Sequence, residues 1–261
     1  MKTKLTTIVP VAALAVAMFG YYAVATGKRA SAESEAAFTN ANQAAEEGNY
    51  PQAIEGYSEL IEGGQYSASG YHNLALAHQR NGDIGRAVLN YERAARLDPR
   101  ASDIKVNLEQ AYKDGAIPEA SRPGYQRMAD SLSPNGWSAI AASGLFALGV
   151  LAVGRATRLI DWPSGTTRAS TAIALAAVVI PAAALAAQHR ADAGRAIVTA
   201  AEAHLRVSPF DLAQPVADLQ PGSTIRILPE RHTSFHLAQL ETGQRGWVEA
   251  SDFETTNITA K

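Results

Sequence analysis

Three stretches without a single charged side chain constrain this chain more than any other feature. They cover residues 5–27, 131–154 and 169–188. A bilayer core about 30 Å thick takes roughly 20 apolar residues of helix, and each stretch is that long. A buried helix of a soluble domain usually carries a charged residue on some face, and none of the three does. The mean hydropathy of the whole chain, −0.10, conceals this because the apolar residues are bunched.

In the first stretch, Lys2 and Lys4 precede an apolar run from Ile8 to Val24, and both Ala23-Val24-Ala25 and Ala30-Ser31-Ala32 fit small-x-small cleavage patterns. Residues 1–27 therefore read as a signal peptide or an uncleaved signal anchor, and either directs the rest of the chain out of the cytoplasm. The other two stretches read as a transmembrane helical hairpin, with helices at 136–154 and 169–188 and a cytoplasmic loop at 155–168. Trp137 and Trp162 fall where opposite membrane interfaces are expected, and Pro181 is expected to kink the second helix. Ser143, Gly144, Gly149, Ala152 and Gly154 suit close helix contact in lipid. The loop holds Arg155, Arg158 and Arg168 against Asp161, whereas residues 28–118 carry 9 basic and 13 acidic side chains. Positive charge gathers at the side expected to be inside. The flanking parts are then external, at the periplasmic face of a bacterial inner membrane.

Between the first stretch and the hairpin, two windows superimpose when Gly48 is laid on Gly82. In that register Gly48-Asn49-Tyr50 meets Gly82-Asp83-Ile84, Ala53-Ile54 meets Ala87-Val88, and Tyr57 meets Tyr91. Each window predicts two helices around a Gly-containing turn, and Ser102–Lys113 predicts a fifth helix that caps the array. With Tyr71, Leu74, Ala75, Gly82, Ala87, Tyr91, Ala94 and Pro99 in the second copy, residues 34–114 resemble the tetratricopeptide repeat. The resemblance implies a helical array over 33–114 that binds protein segments in a groove lined by the first helix of each pair. Thr39, Asn73 and Asn107 share one register there, and Asn42 and Tyr71 are candidates for the same face. Carboxamides in such a groove suit the backbone of an extended peptide. Two repeats and a cap stand near the lower limit for a stable array, so support from a neighbouring segment or a partner is expected. Residues 115–135, with Pro118, Pro123, Gly124 and Pro134, read as a linker.

From Arg195 onward the periodicity changes to two. Short strands are predicted at 196–199, 204–206, 223–228, 234–240 and 246–249, separated by Ser208-Pro209, Pro221-Gly222, Pro229-Glu230 and Thr242-Gly243. Five short strands in about 60 residues suggest a small barrel over 194–256. Leu205-Arg206-Val207-Ser208-Pro209, Leu219-Gln220-Pro221-Gly222 and Gly246-Trp247-Val248 resemble bacterial SH3-like domains. That resemblance implies a peptide or cell-wall ligand, with Trp247 as a candidate platform.

The fold class expected is thus multidomain: a helical repeat array, a transmembrane hairpin and a small all-β SH3-like barrel. There is no cysteine, which removes disulfides, thiolate metal sites and cysteine nucleophiles. His232 and His236 are spaced for one strand face but lack a third ligand nearby, so no metal site is expected. No phosphate loop, no H-E-x-x-H and no G-x-S-x-G is present. A formal net charge of −2 gives no reason to expect nucleic acid. The sequence therefore predicts no catalytic residues, no cofactor and a non-enzymatic role.

The order of parts resembles the BatE-like family of bacterial aerotolerance (Bat) operons. This resemblance implies a membrane scaffold whose partners are membrane proteins with von Willebrand factor A domains and a MoxR-type ATPase. The alternative function is a cell-envelope sensor that grips peptidoglycan through the SH3-like domain.

Overall fold

The structure is a computed structural model and describes residues 32–118, 124–157 and 164–258. The signal segment, together with Arg158, Asp161 and Trp162 of the hairpin loop, lies outside the described residues.

Five helices come first: α1 (Ala32–Glu46), α2 (Tyr50–Glu62), α3 (Ala68–Arg80), α4 (Ile84–Leu97) and α5 (Ser102–Asp114). The sequence repeat is realised first in its turns. Gly48 and Gly82 both have positive φ, near +80°, a backbone conformation that side chains with a Cβ disfavour. The following Asn49 and Asp83 cap α2 and α4, accepting from the backbone N–H of Gln52 and Arg86. Such caps satisfy amide donors that have no partner inside the helix. The small residues Ala41, Ala44, Ala53 and Ala77 then let α1, α2 and α3 close around Tyr57 and Leu74. Ala75, Ala87 and Ala111 do the same around Tyr91 between α3, α4 and α5.

The stretch 115–135 includes a short helix, α6 (Gly124–Ala129). Two long helices follow, α7 (Pro134–Ala156) and α8 (Ser164–Asp192), and α8 runs through Pro181 without interruption. Both are long and apolar enough to cross a membrane. Phe146, Val150, Ile173 and Ile180 are exposed large side chains along them, unlike the core helices of a soluble domain, whose apolar faces are covered. Gly144 sets their approach: a Cβ there would lie 3.0 Å from the Ala174 carbonyl oxygen. α6 ties the far end, where the Trp137 indole and the Gln188 amide both donate to the Ala129 carbonyl, at 2.7 and 2.9 Å.

The C-terminal part is an antiparallel sheet of β1 (Arg195–Val198), β2 (Ala203–Arg206), β3 (Pro215–Leu219), β4 (Thr224–His232), β5 (Phe235–Leu240), β6 (Arg245–Glu249) and β7 (Phe253–Thr255), in the order β3-β2-β6-β5-β4-β1-β7. The sheet is open, with β3 and β7 as its edges among the described residues. It departs from the sequence expectation in two further ways. β3 and β7 are extra strands; the burial along β3 shows little of the alternation that marks a half-buried strand. Pro229-Glu230 does not end a strand but lies in β4, where the pairing with β5 shifts register between Ile227 and Arg231. A proline is tolerated at such a bulge because no ladder N–H is needed there. Ala196, Val198, Leu205, Ile225, Ala238 and Val248 form the core of the sheet.

The array and the sheet share a core. Ile197 of β1 is fully buried against Val88, Tyr91 and Tyr112 in the cluster of α3, α4 and α5. α4 and β1 touch closely at Gly85, where a Cβ would come within 2.8 Å of the Val198 carbonyl oxygen. Farther along, Arg195 donates to Glu92 at 2.6 Å, and Tyr112 donates to the same carboxylate oxygen at 2.7 Å. Burial opposes the Arg195 charge, but Glu92 and Tyr112 outweigh it and hold the guanidinium pKa above its ordinary value. Arg96 pairs with Asp192 at the end of α8. β1 thus covers the face of α4 and α5 that a second helix of a third repeat would otherwise cover.

Candidate groove between the first helices

α1, α3 and α5 are the first helices of the successive pairs, and two side-chain bridges join them. Asn42 of α1 accepts from Asn73 of α3 at 3.0 Å, and from the Tyr57 hydroxyl of α2 at 2.6 Å. Beside it, His72 of α3 meets Asn107 of α5 at 2.7 Å. Burial lowers the His72 pKa, opposed in part by Asp103 at 3.8 Å. The ring is therefore neutral at pH 7, and its Nε2 accepts from the Asn107 amide.

Next to the Asn42–Asn73 bridge lies a cavity of ≈ 640 Å³, lined by residues that include Glu46, Tyr50, Tyr57, Leu76 and Arg80. The bridge uses the Asn42 oxygen and the Asn73 amide. The Asn42 amide and the Asn73 oxygen remain as one donor and one acceptor, the set that a peptide group requires. Tyr50 and Leu76 supply apolar surface, and Glu46 and Arg80 supply charges of both signs. Burial pushes the Tyr57 hydroxyl above its ordinary pKa, so it stays a neutral donor.

The predicted groove residues take four different places. Asn42 and Asn73 come together in the cavity wall. Asn107 is joined to the same helix row through His72, while the Thr39 hydroxyl turns back to the Glu35 carbonyl of its own helix at 2.9 Å. Tyr71 does not share this face. It is buried with Ala94 and Ile104, and the Arg93 guanidinium stands over its ring at 5.9 Å. Its position two residues before Asn73 turns it to the other side of α3, where a second cavity of ≈ 920 Å³ opens toward β7. Sequence reasoning misses His72, Tyr50 and Arg80. The repeat register offers a signal for the first alone, since it places His72 opposite Phe38 in the row of first helices.

Trp247 on β6 lies half-buried between its cross-strand neighbours Arg206 of β2 and Leu237 of β5. Gly246 and Val248 on either side of it are buried, so Trp247 occupies the sheet face opposite that core. Among the described residues, no group of three His, Asp or Glu side chains is placed to hold a metal ion.

Residues 68–101, which span α3 and α4, match the family model of the tetratricopeptide repeat. No curated protein matches the chain.

Proposed function

We propose that this chain is a membrane-held, non-enzymatic scaffold that captures an extended segment of a protein partner in the groove of α1 and α3. The observation that carries the reading is the Asn42–Asn73 carboxamide pair beside the ≈ 640 Å³ cavity. It stands in a helical array of which one repeat matches a protein-interaction family. A spare donor and a spare acceptor on two residues that line the cavity suit the backbone of a peptide, and the tyrosine and leucine beside them suit one apolar side chain.

In this reading α7 and α8 cross the inner membrane as a hairpin. The repeats and the sheet stand on the periplasmic side, and the sheet is an SH3-like module. Support comes from the exposed apolar surface of the two helices and from the arginines of the intervening loop. The order of parts resembles BatE-like scaffolds, which points to von Willebrand factor A membrane proteins and a MoxR-type ATPase as partners. The shared core of array and sheet favours one rigid platform over two modules on a flexible tether. A second reading, a sensor of peptidoglycan, rests on Trp247, which lies on the outer sheet face beside Arg206.

The test is gentle detergent co-purification of the tagged chain, with Asn42→Ala/Asn73→Ala as the comparison. Loss of the captured proteins from the double variant, with unchanged helical content, is the expected result. Equal capture by both would refute the groove.

A further inference from the structure

The loop between β2 and β3 exposes more apolar surface than its surroundings account for. Leu212 is 100% exposed, Phe210 61% and Val207 58%. The loop is nonetheless ordered by its own hydrogen bonds: the Val207 N–H donates to Gln214, the Ala213 N–H to Phe210, and the Arg206 guanidinium to the Ala213 carbonyl. It is therefore a built feature that presents its apolar side chains to the outside.

Strand register and one ring contact place the tip of this loop relative to the start of β1. Only Ala193 and Gly194 separate the end of α8 from β1. β4 is antiparallel to β1, with Ile197 opposite Thr224 and Arg195 opposite Arg226. β4 therefore runs back past the start of β1, toward the side from which α8 arrives. Its turn into β5 lies at Phe235, four residues before Gln239, the partner of Arg226. At ~3.3 Å per residue that is ~13 Å past Arg195, comparable with the span back to the end of α8. Phe210 packs against His232 at this turn, with ring centroids 5.8 Å apart. Through this contact the tip of the apolar loop stands beside the β4–β5 turn, on the side of the sheet where β1 begins and α8 ends.

We propose that Phe210 and Leu212 dip into the headgroup region of the bilayer that α7 and α8 span, so that the sheet rests on the membrane surface through its β2–β3 loop. Aromatic and aliphatic side chains beside basic ones suit that depth. Arg231 supplies the basic group. Glu230 precedes it in the sequence, Asp211 lies between Phe210 and Leu212, and the two offset its charge, so the contact is mainly apolar and depends weakly on the anionic lipid content. The proposal rests on the membrane reading of the hairpin.

The absence of cysteine gives a clean test. Leu212→Cys, Phe146→Cys and Glu241→Cys are each labelled with an environment-sensitive fluorophore in the full chain. The proteins are reconstituted into phosphatidylcholine vesicles, with nitroxide lipids spin-labelled at the headgroup or along the acyl chain. Position 146 reports the hairpin, and position 241, in the β5–β6 turn, reports the opposite end of the sheet. The expected result is a blue-shifted label at 212 quenched by the headgroup nitroxide, one at 146 quenched by the acyl-chain nitroxide, and an unquenched label at 241. Quenching at 146 with a water-exposed label at 212 overturns the proposal and leaves the hairpin intact, with a protein partner as the remaining occupant of the loop. Water exposure at both 146 and 212 overturns the hairpin and the proposal together.

Discussion

Replacing Arg195 by alanine tests whether the helical array and the sheet are one folding unit. The Arg195 side chain is 15% exposed and that of Glu92 5%. The guanidinium donates to Glu92 Oε1 at 2.6 Å, beside the Tyr112 hydroxyl at 2.7 Å. Removing one partner of a buried ion pair strands the other charge, at a cost of about 3–5 kcal/mol. Tyr112 still donates to Glu92 in the variant, which places Arg195→Ala near the lower end, about 3 kcal/mol. Set against a total stability of about 5–15 kcal/mol, that is a large shift. A paired replacement, Glu92→Met with Arg195→Met, removes both charges and keeps the volume. It leaves the Tyr112 hydroxyl without its acceptor, a cost of about 1–3 kcal/mol, and is expected to lose clearly less than the two single replacements added together. The assay is urea unfolding in mild detergent, followed by helical ellipticity and by Trp247 emission, with Trp137 and Trp162 replaced by phenylalanine. In the parent the two signals are expected to change together, because Ile197 of the sheet is buried in the core of the array. A cost below about 1 kcal/mol for Arg195→Ala would refute the argument, as would a double variant whose loss equals the sum of the single losses.

Asp83 gives a pH-dependent prediction. Burial alone would raise its carboxyl pKa, but His78 and both the backbone and side chain of Arg86 outweigh that and hold it at about 2. Its contribution is full above pH ~4 and disappears as the pH falls through ~2; it amounts to at most about 2 kcal/mol. Melting curves from pH 5 to pH 2 should flatten in Asp83→Asn, which keeps the helix cap. Gly85→Ala would press a methyl group on the Val198 carbonyl. A net loss of about 1–3 kcal/mol is expected even though alanine is the better helix former, and a variant that melts no lower than the parent would contradict the close approach of α4 and β1.

The helical array is legible in the sequence because its determinants are local and repeated. A left-handed glycine, an Asx cap and a small residue for close packing stand at Gly48, Asn49 and Ala53, and again at Gly82, Asp83 and Ala87. Each specifies its own turn or contact without help from elsewhere. The two long apolar helices are legible for a different reason: uncharged runs of this length read as single long helices. β3 and β7 are not legible. Neither shows a buried–exposed alternation, and both sit at edges where one neighbour suffices to hold a strand. The pairing of Asn42 with Asn73 is hidden as well, since the repeat register sets Asn42 opposite Leu76 instead.

The junction of array and sheet is the least legible part, and its cause is physical. The repeat pattern stops after α5, so the apolar faces of α4 and α5 need a cover that the periodicity cannot name. Ile117, just after α5, supplies part of it and Ile197 the rest. Ile197 comes only after the entire hairpin, in a strand whose alternation already accounts for Ala196 and Val198 in the core of the sheet. Seen along the sequence, Ile197 is the outward residue of an ordinary strand; in the fold it faces a second core. A strand buried on both faces in this way cannot move independently of the helices beneath it. Packing ties α4 to β1, and the Arg96–Asp192 ion pair ties α4 to the end of α8.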